Sequence, residues 1–417
     1  MKGDHAMTLS EQQSSIDRIR QDARERFEAL GFPTSRDEDW KFTNLAPIAK
    51  LKFEPAARDF ERASELLRDF PANANRVVFL NGSYAPRLSS PGIVGTIRQT
   101  PAPILELHLA RHADYRRDAF AAWNTAAFED GVFLFIGARR VVEGPVHLIH
   151  ISVPGAGPGS APSVAHPRNL IIAGSRSQVS IIESHLGVQT YLTNAVTEIM
   201  VGEEAVVDFT KLQNESVSAF HIAAMHVSLG RGSAFTSRVL SFGGALARTQ
   251  ITSVLEEGSC CTLNGLYVTR DRQHADNRTT IDHAKPHATS HELYKGILDG
   301  QSSAVFNGKI IVRKDAQKTD AKQTNKNLVL SEGATINTKP QLEIFADDVR
   351  CTHGATVGQL DQEAIFYLQS RGIGREDARA LLTYAFAEEM LDSIRDEPFR
   401  VYTGRLLSGR LAREATA

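Results

Sequence analysis

A repeat of turn formers at a fixed distance constrains this chain more than any other feature. Gly174, Gly202, Gly230 and Gly258 follow one another at intervals of 28 residues, and one further step lands on Pro286. A second phase holds Gly244 and Gly300, two periods apart. Three positions after each main marker the residue is small: Ser177, Ala205, Ser233, Cys261 and Thr289. Five positions after it come Val179, Val207, Phe235 and Leu263, with His291 breaking the run. Ile199, Val227, Leu255, His283 and Ile311 recur near the end of each period. A period of this size is the signature of stacked units, none of which can bury its inner face alone. The β-branched residues, the alternation and the turn glycines predict that each unit is one coil of a parallel β-helix, with the solenoid spanning residues 132–358.

The flanks carry a different texture. Residues 1–131 read as a mainly helical N-terminal region. Ile16, Ile19, Ala23, Phe27 and Leu30 share one helical face, Ser10 with Gln13 fits a capping box, and Gly31 with Pro33 supplies a stop. The charged run 35–42 reads as a surface turn whose Trp40 plugs a core. Residues 77–80 resemble a strand entering the Asn81-Gly82 turn, and Phe120, Trp123 and Ala127 mark a helix face before Gly131. Residues 154–163 are too rich in Gly and Pro for either regular element. A solenoid has open ends that need covers, and the tail, residues 359–417, reads as a helical domain placed to supply one. Asp361 caps a first helix that Gly372 ends; Ala378, Leu381, Leu382, Ala385, Phe386, Met390 and Ile394 stripe a second, with Phe399, Val401 and Tyr402 beside it. This stripe either packs on the core or docks a partner protein, and Leu381, Leu382, Phe386 and Met390 are its candidate partner-binding residues.

Composition narrows the function classes. With 47 Lys+Arg against 49 Asp+Glu in 417 residues, the formal charge of −2 offers no global field for nucleic acid or acidic lipid. No run approaches the roughly 18 apolar residues of a membrane span. The start lacks the apolar core of a signal peptide, and Met7 stands as an alternative natural start. Three cysteines, Cys260, Cys261 and Cys351, cannot build a disulfide framework and fit a reduced, cytoplasmic protein.

Several constellations invite chemistry. His287 and His291 have the spacing of a helical zinc pair, but Ala288 stands where a zincin needs glutamate, and Pro286 favours strand and turn. Lys314, Lys318, Lys322 and Lys326 recur every four residues, yet Asp315 and Asp320 compensate them and no aromatic platform accompanies them. They fit a solvated face of stacked strands with Asn and Gln ladders, with nucleic-acid binding as the competing reading. Cys260 and Cys261 fall where the repeat calls for small inward residues. Cys351-Thr352-His353-Gly354 lies at the end of the repeats; thiolate and imidazole are competent ligands for soft or borderline metals, but two ligands cannot complete a four-ligand site. Phosphate-loop, nucleophile-elbow and dinucleotide fingerprints are all missing from the sequence. A stand-alone carbohydrate-active β-helix enzyme is the alternative reading, although Asp208, Asp271, Asp276 and Asp282 form no recurring acidic ladder.

Taken together, the motifs resemble the SufB/SufD family of the SUF iron–sulfur cluster assembly machine, on its SufD side. The resemblance rests on residues 36–43 (Arg-Asp-Glu-Asp-Trp-Lys-Phe-Thr), 124–126 (Asn-Thr-Ala) and 277–283 (Asn-Arg-Thr-Thr-Ile-Asp-His). It continues through 294–296, 306–309 and 315–327, then 339–344 (Lys-Pro-Gln-Leu-Glu-Ile) and 349–358 around Cys351 and His353. It implies a right-handed parallel β-helix between helical ends. It also implies a non-catalytic scaffold that pairs with a SufB-like paralogue and binds a SufC-like ATPase through its C-terminal helices; the sequence leaves open whether the isolated chain forms a homodimer. The cofactor implied is a transient iron–sulfur cluster shared with SufB. His353 matches the family's candidate cluster ligand at the SufB interface, and Cys351 a cysteine close by.

Overall fold

The computed structural model describes residues 9–411 apart from 57, 72–74, 91, 93 and 156–160, and the side chains of 9–15 are likewise outside the described set. The Ser10–Gln13 capping box, the Met7 start and the centre of the 154–163 loop therefore lie outside the described residues.

Two stacked sheets face each other across one core. The first, sheet A, has ten strands. It runs through Asn75–Leu80, Val141–Ser152, Gln178–Gly187, Val206–Asn214, Ala234–Ser241, Cys260–Thr269, Thr289–Leu298 and Asp320–Val329, and ends at Arg350–Gly358. Sheet B takes the alternate strands, from Val132–Ile136 through Tyr191–Val201, Phe220–Leu229 and Leu246–Leu255 to Ser303–Val312 and Thr335–Thr338. Each coil thus gives one strand to each sheet, and every coil-to-coil pairing is parallel. This is the expected parallel β-helix. Its first coil includes Asn75–Leu80, paired with the Val141–Ser152 strand, so the region before residue 132 is not only a helical flank.

The period is less regular than the glycines imply. Val206 pairs with Gln178 and with Ala234, steps of 28, but Ala234 pairs with Cys260, Cys260 with Thr289, Thr289 with Asp320 and Asp320 with Arg350, steps of 26, 29, 31 and 30. The short step arises between the sheets. Seven positions separate Gln213 from Phe220, and five separate their partners Ser241 and Leu246. Two different requirements for glycine hid this slip. A Cβ at Gly174, Gly202 or Gly230 would meet the preceding coil's backbone at 2.8, 2.8 and 3.0 Å. Gly258 instead occupies a left-handed turn position (φ +64°) equivalent to Arg176, Glu204, Gly232, His287 and Lys318. The amide of each donates to a carbonyl of the next coil, forming a ladder along the edge of the solenoid. Consequently Ser259, not Cys261, continues the small column, and Cys261 pairs in register with Phe235. Cys261 is buried in the core as expected, whereas Cys260 points to the opposite face and is half-buried.

Helices cover the outer faces. The helix Leu9–Leu30 packs with Ala119–Ala127 on sheet B through Ala23, Leu170 and Val196. The 36–43 segment docks beside them. Trp40 lies against Phe120, Arg248 stacks over Trp40 at 3.7 Å, and Thr43 donates to Asp276 at 2.7 Å. The tail forms three helices, Gln362–Ser370, Arg375–Asp392 and Glu397–Leu411, rather than two. Asp361 caps the first through the Glu363 amide, and Gly372 follows it at φ +86°. The tail does not close the end of the solenoid. Met390, Leu391, Ile394, Phe399 and Leu407 pack on the outer face of sheet A against Leu212, Leu240, Phe242 and Leu266. The side of the sheet was the larger apolar surface, and burying it takes precedence over the rim.

Candidate functional site

That packing leaves the last strand of sheet A uncovered. Arg350–Gly358 pairs with Asp320–Val329 on one side and ends the sheet on the other, and eight of its nine residues are exposed. An edge of this length presents a row of unpaired amides and carbonyls, a template for another strand. Exposed apolar groups border it: Phe345 (62%), Val357 (55%) and Ile344 (40%).

Register decides which way its side chains face. Cys351, His353, Ala355 and Val357 pair with Ala321, Gln323, Asn325 and Asn327, all buried inside the solenoid. The strand's period of two therefore puts Cys351 and His353 on the same face, about 6.6 Å apart along the chain, at the mouth of the core. Cys351 lies half-buried against the Ile310, Val312 and Ala346 cluster, and burial, with Asp320 nearby, pushes its thiol up. His353 is exposed. Among the described residues neither belongs to a group of three metal-capable side chains, so this chain offers a partial ligand set.

Behind them the core is polar. Gln323 donates to Glu292 at 2.7 Å, Asn327 to Asn325 at 2.7 Å, and the Tyr267 hydroxyl to Asn327 at 2.5 Å. Burial pushes the Glu292 carboxyl up to about 7 against the opposing hydrogen bonds. The Asn and Gln ladder is thus interior, not solvated. Only Lys322 and Lys326 share the exposed face of that strand, while Lys318 sits in a turn paired with Asp348.

The other candidates fall elsewhere. His287 is an exposed turn residue, His291 an exposed strand residue, and the two lie on no helix. Asp208, Asp276 and Asp282 are tied to Arg238, to Arg248 and Arg278, and to Arg313, so they form no free acid pair for glycoside chemistry. Of the tail residues, Leu381 is half-exposed and Leu382 half-buried. Phe386 lies 5.0 Å beneath the Lys295 ammonium, and Met390 is only 2% exposed, buried against sheet A. Met390 offers no surface to a partner because the core face claims it. Phe366 (73%) and Tyr367 (57%), on the preceding helix, are more exposed than Leu381 (50%), Leu382, Phe386 and Met390. Alternation alone marks them poorly, because the helix Gln362–Ser370 buries only Ile365.

The fold is thus a parallel solenoid whose last strand has one open edge and bears a thiol and an imidazole. Comparison with known proteins places it. Residues 156–386 match the SufBD core domain of the SUF system for FeS cluster assembly, and residues 2–148 match the SufBD protein N-terminal region. The chain belongs to the SufBD family of the SUF iron–sulfur cluster assembly system. It is 32% identical to the iron–sulfur cluster assembly protein SufD of Escherichia coli over 88% of this chain and 86% of that protein. It is 34% identical to an iron–sulfur cluster assembly SufBD family protein of Synechocystis sp. over 97% of this chain and 92% of that protein. The chloroplastic protein ABCI7 of Arabidopsis thaliana is 28% identical over 92% of this chain and 84% of that protein. No described helix is long and apolar enough to cross a membrane.

Proposed function

We propose that this chain is a non-catalytic scaffold subunit of the SUF machine that pairs through Arg350–Gly358 with a SufB-like paralogue. His353, with Cys351 beside it, then contributes to a cluster built between the two chains and passed on. The observation that carries this reading is the unpaired strand whose inward face ends in those two ligands. Main-chain pairing along nine residues supplies affinity without a deep pocket, and the bordering Phe345 and Val357 supply apolar area. Without the paralogue, the same edge accepts a second copy of this chain. The half-buried thiol of Cys351, raised by burial, must lose its proton to coordinate a metal, whereas the His353 imidazole stands exposed at the edge. His353 is therefore the leading ligand.

Two outcomes test this reading. His353→Ala should co-purify with the SufB-like and SufC-like proteins at parental yield, yet slow cluster formation on the complex at least about tenfold, read from visible absorption. A parental rate would remove the ligand role, and a parental yield for Ala355→Pro with Val357→Pro, whose amides face the open edge, would remove edge pairing. The SufC-like ATPase would dock on the tail through Phe366, Tyr367 and Leu381, the most exposed of the large apolar groups there. Phe366→Asp with Tyr367→Ser should weaken its capture at least about tenfold while leaving the melting temperature unchanged, since both side chains are largely exposed. Undiminished capture would sink that assignment.

A further inference from the structure

The coils at the other half of the solenoid bury a second set of polar groups that cluster assembly at the edge does not use. Glu183 and His185 point inward from one strand of sheet A, and Lys211, Gln213 and Glu215 come from the next strand and its end. His221 enters from sheet B. His185, Glu215 and His221 are 1%, 4% and 0% exposed.

We infer that His185, Glu215 and His221 form a buried site for a divalent first-row transition metal, of the zinc or ferrous class. Their ligand atoms all lie within 4.8 Å of one another. A tetrahedral ion with bonds of about 2.0–2.1 Å needs ligand atoms about 3.4 Å apart, so side-chain movements of about 1 Å close the site. Both ring nitrogens of His185 and both of His221 lack an aligned hydrogen-bond partner, although His221 Nδ1 lies 2.8 Å from Glu215 Oε2. Unpaired imidazole nitrogens inside a core are costly, and a shared ion would satisfy one nitrogen of each ring. The carboxylate is oriented from behind: Thr193 donates to Glu215 Oε1 at 2.6 Å and Gln213 to Oε2 at 2.9 Å, the outer-shell support that metal ligands carry. Two imidazoles and one carboxylate suit zinc or ferrous iron better than calcium or magnesium.

The surrounding charges are compatible with a dication. Glu183 lies 3.3 Å from His185 Nε2, and the buried Lys211 ammonium interacts with both Glu183 and Glu215. One ammonium against two carboxylates leaves an unbalanced negative charge where the ion would sit. The site is distinct from the edge. Its two sheet A strands are six and five steps from Arg350–Gly358, about 29 and 24 Å at ~4.8 Å per step. A site so enclosed loads as the chain folds.

The test uses the untagged full chain, unfolded, refolded with Co²⁺ or Zn²⁺, and desalted. One equivalent of metal should remain per chain, and the cobalt form should show the visible absorption of a low-symmetry site. Cys351→Ser with His353→Ala should retain that equivalent. His185→Gln with His221→Gln should lose it, and Glu215→Gln, the milder change should the pair not fold, should bind at least about tenfold more weakly. Failure of the refolded parent to retain metal overturns the inference. So does equal retention by a folded His185→Gln/His221→Gln or Glu215→Gln protein.

Discussion

Replacing Arg168 by Met should cost about 3–5 kcal/mol of folding stability at pH 7. Arg168 is wholly buried, and its guanidinium lies 2.5 Å from Glu198, equally buried. Its other nitrogen donates to Thr125 at 2.9 Å and Asn124 at 3.2 Å. Glu198 in turn accepts the amides of Ala110, His112 and Ala113 at 2.9, 2.9 and 3.1 Å. Burial alone would push the Glu198 carboxyl up, but Arg168 and those amides outweigh it and hold it below the usual range. Methionine preserves volume and removes the cation, so an ionised carboxylate is left in the core with only amide partners. Lysine should recover only part of the loss, because an ammonium cannot span Glu198, Thr125 and Asn124 together. Urea unfolding of the parent, Arg168→Met, Arg168→Lys and the Arg168→Met/Glu198→Gln pair measures this. The pair should be more stable than Arg168→Met, since it no longer buries a lone charge. A loss under about 1 kcal/mol for Arg168→Met would show that the pair is not the tie between the N-terminal region and sheet B.

The same residues show what the sequence could reveal. Asn124 and Thr125 belong to a motif that points to the family, and the structure gives them a mechanical task. Asn124 donates to the carbonyls of Pro167 and Asn194 at 2.8 Å each and fastens a helix to two coils. Asp39 accepts from Arg278 at 2.9 Å, joining the 36–43 motif to sheet B. The solenoid was legible because coil stacking imposes like residues at one spacing, and Gly174, Gly202 and Gly230 answer to one steric demand. Beyond Gly230 the reading drifted. A turn can lose two residues without disturbing either strand, and Gly258 satisfied a different demand at the expected place. Cys351 and His353 were legible by type and by their place at the end of the repeats. Their shared face follows only from register. The buried His185–Glu215–His221 cluster escaped notice because polar residues at every second position read as a solvated face. Only the coil count places them inside.

Between pH 7 and pH 5 the protein should lose at least about 3.5 kcal/mol of stability, the net of three histidines that the fold keeps neutral and one carboxyl that opposes them. His147 and His166 are held at about 3 by burial, His147 under the Phe399 edge and His166 against Trp123. His283, beside Ser290, is held at about 4 by burial against the pull of Asp282. In the unfolded chain each takes up a proton near pH 6.5, while the native protein refuses it until about 3 or 4. Their contribution is therefore complete above pH 6.5 and is lost as pH falls below it. Each forfeits about 1.9 kcal/mol by pH 5, about 5.5 together. Glu292 works in the opposite sense. Its native carboxyl titrates at about 7, far above its unfolded value of 4.5, so the native state gains protons first and is favoured as pH falls. That offsets about 2 kcal/mol over the same interval. Urea unfolding at pH 7, 6 and 5 should show the net loss. His147→Gln and His166→Gln should each flatten the profile by about 1.9 kcal/mol, and Glu292→Gln should steepen it by about 2. A parent profile that is flat or rises towards pH 5 would mean that these imidazoles reach water, and that the solenoid walls around them open on the timescale of unfolding.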